Sequence, residues 1–203
     1  MKAAAVTRAF VALLLDEAMR ASVGAEIERL RPLSRAVAWV PTANLHLTLR
    51  FLGERSDEQL GEVEAALVEA AAVTAPFALT LHGLGAFPGL ERPRILWVGI
   101  AEGALPAREV QARVEAALER RGIPRERQAW HPHLTIGRVF DERAWRREAG
   151  LPCGRPLAAA ARRSFGTLAV SRIALMRSDL SPQGARYREL ASAELTPGLP
   201  SIL

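Results

Sequence analysis

The residues His46-Leu47-Thr48-Leu49 recur almost unchanged as His133-Leu134-Thr135-Ile136. A histidine two positions before a threonine, present twice, is material for proton transfer in phosphoryl chemistry. An imidazole has an ordinary pKa near about 6.5, so one ring can be neutral while another is protonated at the same pH. The neutral ring takes a proton from water, and the protonated ring gives one to a leaving oxygen. Such groups typically contribute about 10²–10⁴-fold each to a rate. The Thr48 and Thr135 hydroxyls suit the non-bridging oxygens of a phosphate, whose charge rearranges during in-line attack. The set His46, Thr48, His133 and Thr135 is therefore the candidate catalytic quartet.

Both motifs sit in strand-like sequence, where side chains alternate between faces. His46 and Thr48 then share one face, with Leu47 and Leu49 on the other, and the second motif repeats the pattern. Each strand buries its aliphatic side and offers a histidine and a hydroxyl on the opposite side. Two positions five residues after the motif histidines, Phe51 and Arg138, have the chemistry to stack on a base and to clamp a phosphate. Strict alternation puts both on the face away from the histidines, as a core phenylalanine and a solvated arginine. A bulge or a strand end is needed to bring either round.

His131-Pro132-His133 places two imidazoles on one strand face, but no third and fourth ligand stands out, so a metal site is not expected. His131 is read instead as a substrate-side residue beside His133. His82 has no counterpart in the repeat and reads as an ordinary strand histidine. Trp97 and the turn Phe87-Pro88-Gly89 read as structural.

The surrounding elements alternate. An apolar run over 10–15 predicts a buried strand, and Met19, Val23, Ile27 and Leu30 form one face of a helix over 17–31 that Pro32 stops. Strands are predicted over 37–40 and 45–52. Ser56-Asp57-Glu58-Gln59 is a capping-box pattern opening a helix to about residue 73. Strands over 77–84 and 95–100 flank a turn-rich stretch, 83–93. Pro106 opens a helix whose Val110, Val114 and Leu118 share a face, and Gly122 ends it. Strands over 168–176 and 186–191 follow the Arg-rich stretch 143–163, and 197–203 reads as a tail. The echo occurs twice only, which predicts two related βα units sharing one core over residues 1–196 rather than a solenoid.

Composition sets the outer bounds. The 203 residues are 49% apolar with a net charge of +5, which excludes a disordered chain and leaves ample length for a core. The basic side chains are 26 arginines and the single lysine Lys2. A GC-rich coding bias accounts for that skew, and the same guanidinium groups suit polyanions. The lone Cys153 rules out an intramolecular disulfide and fits a reducing compartment. Arg8 before the 10–15 run, Asp16-Glu17 after it and the lack of an Ala-x-Ala site argue against a secretory leader. A run that short cannot span a membrane, which takes about 20 residues. A cytoplasmic monomer without a membrane partner is the expectation.

The paired His-x-Thr strands resemble the two-histidine (2H) phosphoesterase superfamily, and within it the RNA 2′,3′-cyclic phosphodiesterases historically called 2′-5′ RNA ligases. Further matches run in order along the chain: Arg8–Leu13 to the opening strand, Leu45–Gly53 to the first motif and Phe87–Gly99 to an "FP…PR…LW" segment. Trp130–Arg138 matches the second motif and Leu175–Leu190 a closing "S…G..Y..L" segment. The resemblance implies a bilobal α+β fold: two pseudo-twofold-related lobes of mainly antiparallel sheet, flanking helices and a central groove. It implies metal-independent opening of a 2′,3′-cyclic phosphate to a 2′-phosphate, with no cofactor. By the same resemblance His133 activates water, His46 protonates O3′, Arg138 contacts the phosphate and Phe51 lies near the base. His131 stands where the family pattern has an arginine or another residue. Three other activities share these residues. One is the reverse, ATP-independent joining of RNA ends. The others are hydrolysis of a small cyclic-phosphate nucleotide, and RNA binding without catalysis.

Overall fold

The computed structural model describes residues 6–148, 160–182 and 184–196, and among these described residues nine strands and four helices are interspersed. The first lobe is the sheet β3-β1-β8-β9 and the second is β2-β6-β5-β4-β7, with every pairing antiparallel. The strands are β1 (Val6–Leu14), β2 (Val37–Trp39), β3 (His46–Ser56), β4 (Phe77–Phe87) and β5 (Ile95–Glu102), followed by β6 (Leu134–Val139), β7 (Ser164–Val170), β8 (Arg172–Ser181) and β9 (Gly184–Glu194). The helices are α1 (Glu17–Leu30), α2 (Asp57–Ala72), α3 (Ala104–Arg120) and α4 (Glu142–Glu148). This is the expected α+β class. The repeat is visible as β1–α1–β3 in one sheet and β5–α3–β6 in the other, each ending on a His-x-Thr strand.

Local chemistry explains most boundaries. Asp16 caps α1 by accepting from the Met19 amide at 2.7 Å, and Pro32 falls in the 3-10 turn that ends it. Ser56 and Gln59 form the reciprocal capping box at the start of α2. The helix α3 starts two residues before Pro106, because Gly103 at φ +79° turns the chain and a proline is harmless in a first turn. The strand β4 continues to Phe87 through what the sequence presents as turn. Gly83, at φ +72°, and Gly85, where a Cβ would meet the Trp97 ring at 2.2 Å, are absorbed inside the strand. One predicted strand, 168–176, is in fact two: the chain leaves the second sheet after Val170 and enters the first at Arg172. The apolar residues Leu168-Ala169-Val170 and Ile173–Met176 on either side of Ser171-Arg172 read as one strand and hide that switch. The Arg-rich stretch yields α4 and then passes beyond the described residues, as do Cys153 and the 197–203 tail.

One hydrophobic core takes residues from both sheets and all four helices, from Val11 and Leu49 to Val114, Ile136 and Trp145. On the other face of the first sheet Phe10, Ala12, Ala174 and Met176 make a small separate cluster, with Leu14 and Tyr187 against it. Among the described residues no helix is long and apolar enough to cross a membrane.

Arg50 ties β3 to the region after α3. Its guanidinium, 9% exposed, reaches Glu115 at 3.1 Å, the Pro124 carbonyl at 2.5 Å and Glu126 at 3.5 Å. Removing one partner of a buried ion pair strands the other, at a cost of about 3–5 kcal/mol. Arg50→Met should therefore lower unfolding stability by that order in a denaturant titration. Arg50→Met with Glu115→Leu should recover much of the loss, and a double variant as unstable as the single one would refute this account.

Candidate active site

The two motif strands carry the same irregularity. In the β1–β3 ladder Val11 faces Arg50 while Ala12 faces Thr48, so Leu49 is an extra residue. In the β5–β6 ladder Leu96 faces Gly137 while Trp97 faces Thr135, and Ile136 is extra. Two consecutive residues then point inward, Leu49-Arg50 in one motif and Ile136-Gly137 in the other, and all four are buried. Each bulge resets the alternation. Phe51 consequently returns to the face of His46 and Thr48, and Arg138 to the face of His133 and Thr135. The expectation of a core phenylalanine is corrected: Phe51 is 58% exposed. The bulge also explains Gly137, since a Cβ there would meet Val37 at 2.7 Å and Trp39 at 3.2 Å.

The histidines are held alike. The Nδ1 of His46 lies 2.7 Å from the Asn44 carbonyl, and that of His133 lies 2.7 Å from the His131 carbonyl. A carbonyl only accepts, so each Nδ1 carries the proton and each Nε2 is left to do chemistry. Rings fix the orientation further. Phe10 lies 4.6 Å from His46, and Tyr187 meets it edge-on at 5.2 Å. Phe87 meets His133 edge-on at 5.1 Å.

Burial pushes both imidazoles below the ordinary value of 6.5, because desolvation penalises the charged form. Their carbonyl bonds oppose that shift, and the positive charge of Arg138 lowers both further. His131 adds a smaller lowering at His133. One guanidinium thus acts on both histidines. The lobes are also pinned here by a hydrogen bond, since the Trp130 indole donates to the Thr48 carbonyl at 2.9 Å.

The structure therefore brings His46 and Thr48 together on one strand, sets His133, Thr135 and Arg138 along the other, and turns Phe51 onto the first motif's working face. His131 is exposed at the rim, its Nδ1 3.0 Å from the Ala129 carbonyl and its ring 6.4 Å from that of Phe87. His82 pairs within β4, β5 and β7. Among the described residues no group of three or more His, Cys, Asp or Glu could hold a metal ion. Phe10, Phe87 and Tyr187 escaped the sequence reading as site residues. Phe10 reads as core, and Phe87 reads as part of a turn. All three lie in segments that carry the family resemblance, and Tyr187 is also the only tyrosine in the chain.

Two imidazoles held alike through Nδ1, each packed on aromatic rings and each under the charge of Arg138, suit transfer of protons to and from a phosphate ester. Comparisons with known proteins bear on that reading. A family model described as the 2′-5′ RNA ligase superfamily matches residues 19–182. A protein of Aeropyrum pernix named RNA 2′,3′-cyclic phosphodiesterase is 37% identical over 152 residues, 74% of this chain and 82% of its own. One of the same name from Aquifex aeolicus is 32% identical, covering 90% of this chain and 94% of its own. A crystal structure from Thermus thermophilus superposes with a TM-score of 0.71 at 34% identity, covering 93% of this chain and 97% of that one. The E. coli protein LigT, solved in complex with 3′-AMP, superposes with a TM-score of 0.72 at 25% identity, covering 95% of this chain and all of that one.

Proposed function

This chain belongs to the 2′-5′ RNA ligase superfamily, and from that membership and the site we propose that it hydrolyses RNA 2′,3′-cyclic phosphate ends to 2′-phosphates without a metal. In the reading that follows, Nε2 of neutral His133 takes a proton from water as its oxygen attacks phosphorus. The bond from phosphorus to O3′ breaks, and Nε2–H of protonated His46 gives its proton to that oxygen. The ester to O2′ is kept, so the product carries a 2′-phosphate and a free 3′-hydroxyl. Thr48 and Thr135 donate to the non-bridging oxygens, Arg138 balances the phosphate charge, Phe51 faces the terminal base and His131 lines the approach. Joining a cyclic-phosphate end to a 5′-hydroxyl is the same site run backwards, and it needs no ATP.

The observation that carries the proposal is the matched pair of Nδ1–carbonyl bonds, which leaves both Nε2 atoms available for proton transfer with a substrate. The test is end analysis after incubation with an RNA oligonucleotide bearing a 2′,3′-cyclic phosphate, in EDTA. A 2′-phosphate product at an undiminished rate is expected. A 3′-phosphate product would reverse the roles of the two ester oxygens, and absence of turnover would sink the proposal.

A further inference from the structure

We propose that Phe140 and the arginines around it form a second nucleotide-binding position, which holds the base and phosphate next to the RNA's reacting end. The inference rests on the phosphodiesterase reading and deepens it by assigning where the nucleotide adjoining the reacting end of the RNA binds. After the Ile136 bulge, the side chains that follow on the face of His133 and Thr135 are those of Arg138 in β6 and then Phe140, the residue just past its end. The ladder continues that far, since Val139 pairs with Val37 and the Phe140 amide donates to the Ala36 carbonyl at 3.0 Å. Phe140 thus stands two residues, about 6–7 Å, beyond Arg138 along the strand. Its ring is 70% exposed, an expensive placement for an aromatic side chain unless something covers it.

The surroundings fit a nucleotide. An open concavity of about 700 Å³ lies against Phe140 and is lined by Arg92, Asp141, Glu142, Arg143 and Arg146. Glu142 steadies two of the arginines, Arg146 at 2.8 Å and Arg92 at 3.5 Å. Asp141 is occupied in capping α4, accepting from the Ala144 amide at 2.9 Å. Arg143 has no carboxylate partner among the described residues, and it is the cation free to meet a phosphate. A flat ring beside guanidinium groups is a sequence-tolerant platform for single-stranded RNA. Because the ring lies in line with the phosphate-handling residues, the chain that reaches it is the one whose end reacts.

The test compares a short RNA oligonucleotide ending in a 2′,3′-cyclic phosphate with cytidine 2′,3′-cyclic phosphate. Stacking of one base is worth about 1–3 kcal/mol, so Phe140→Ala should lower the oligonucleotide-to-mononucleotide ratio of kcat/KM roughly tenfold. Phe140→Trp should keep the ratio. Anisotropy of a labelled RNA ending in a 2′-phosphate reads binding without turnover. There Phe140→Ala should weaken binding by a similar factor, and Arg143→Ala should reduce the slope of log affinity against log salt by about 0.7. A Phe140→Ala protein with the wild-type ratio and wild-type affinity would overturn the inference. A wild-type protein that turns over neither substrate would overturn the phosphodiesterase reading instead, and the anisotropy series would still decide on Phe140.

Discussion

Replacing either motif histidine with alanine is expected to lower kcat on a 2′,3′-cyclic-phosphate substrate by about 10²–10⁴-fold while leaving the fold intact. The size follows from the division of labour. In the proposed mechanism the attacking water keeps its proton without His133, and the alkoxide at O3′ leaves unprotonated without His46. The fold survives because neither ring belongs to the main core, which the aliphatic faces of β3 and β6 build with the helices. His46 packs on Phe10 and Tyr187 at the small second cluster, so its loss should cost more stability than the loss of His133. Groups that act as one unit are non-additive, and the double variant should be scarcely slower than the worse single one. Rates from stopped assays, with far-ultraviolet circular dichroism as the folding control, check all three. Either single variant hydrolysing at near wild-type rate would remove that histidine from the mechanism.

The placement of the two His-x-Thr motifs on strands was legible in the sequence because a strand has period two, and His-x-Thr written twice leaves little freedom in how the side chains lie. Phe51 and Arg138 show where that logic stops. Five residues is an odd separation, so strict alternation turns both away, and only an extra residue in each ladder brings them back. The bulges depend on how β1 and β5 pair with the motif strands, which is a long-range fact. Gly137 is the local trace of one bulge, but its counterpart Arg50 marks nothing by residue type and is buried against Glu115 instead. Phe87 and Tyr187 reach the histidines from 46 and 141 positions away in the chain (133 − 87 and 187 − 46), beyond any local pattern. The strand 168–176 failed for a related reason: the short polar pair Ser171-Arg172 between two apolar runs does not show that the runs serve different sheets.

Arg138 should prove the most consequential residue outside the quartet, with a double signature. In the proposed mechanism it is a preorganised cation at the phosphate, so its replacement by glutamine is expected to cost about 10²–10³-fold in rate, the scale found on removing one charge-stabilising donor from an active site. The second effect concerns pH. In the free protein both imidazoles lie below 6.5, chiefly through burial and partly through Arg138. The reaction needs one ring protonated, so kcat/KM should already be falling as pH rises through 6.5 and the doubly neutral form takes over. The negative phosphate of a bound substrate favours the imidazolium, so the corresponding fall in kcat should lie at higher pH. Removing the Arg138 charge takes away one force that disfavours both imidazoliums, and both values rise. In Arg138→Gln the alkaline limb of kcat/KM should therefore move to higher pH, without reaching the unburied value because desolvation remains. Arg138→Lys keeps the charge but loses the bidentate fork. It should be slow like the glutamine variant yet hold its alkaline limb near the wild-type position. A limb that stays fixed in Arg138→Gln would mean that Arg138 serves the substrate alone and does not tune the histidines.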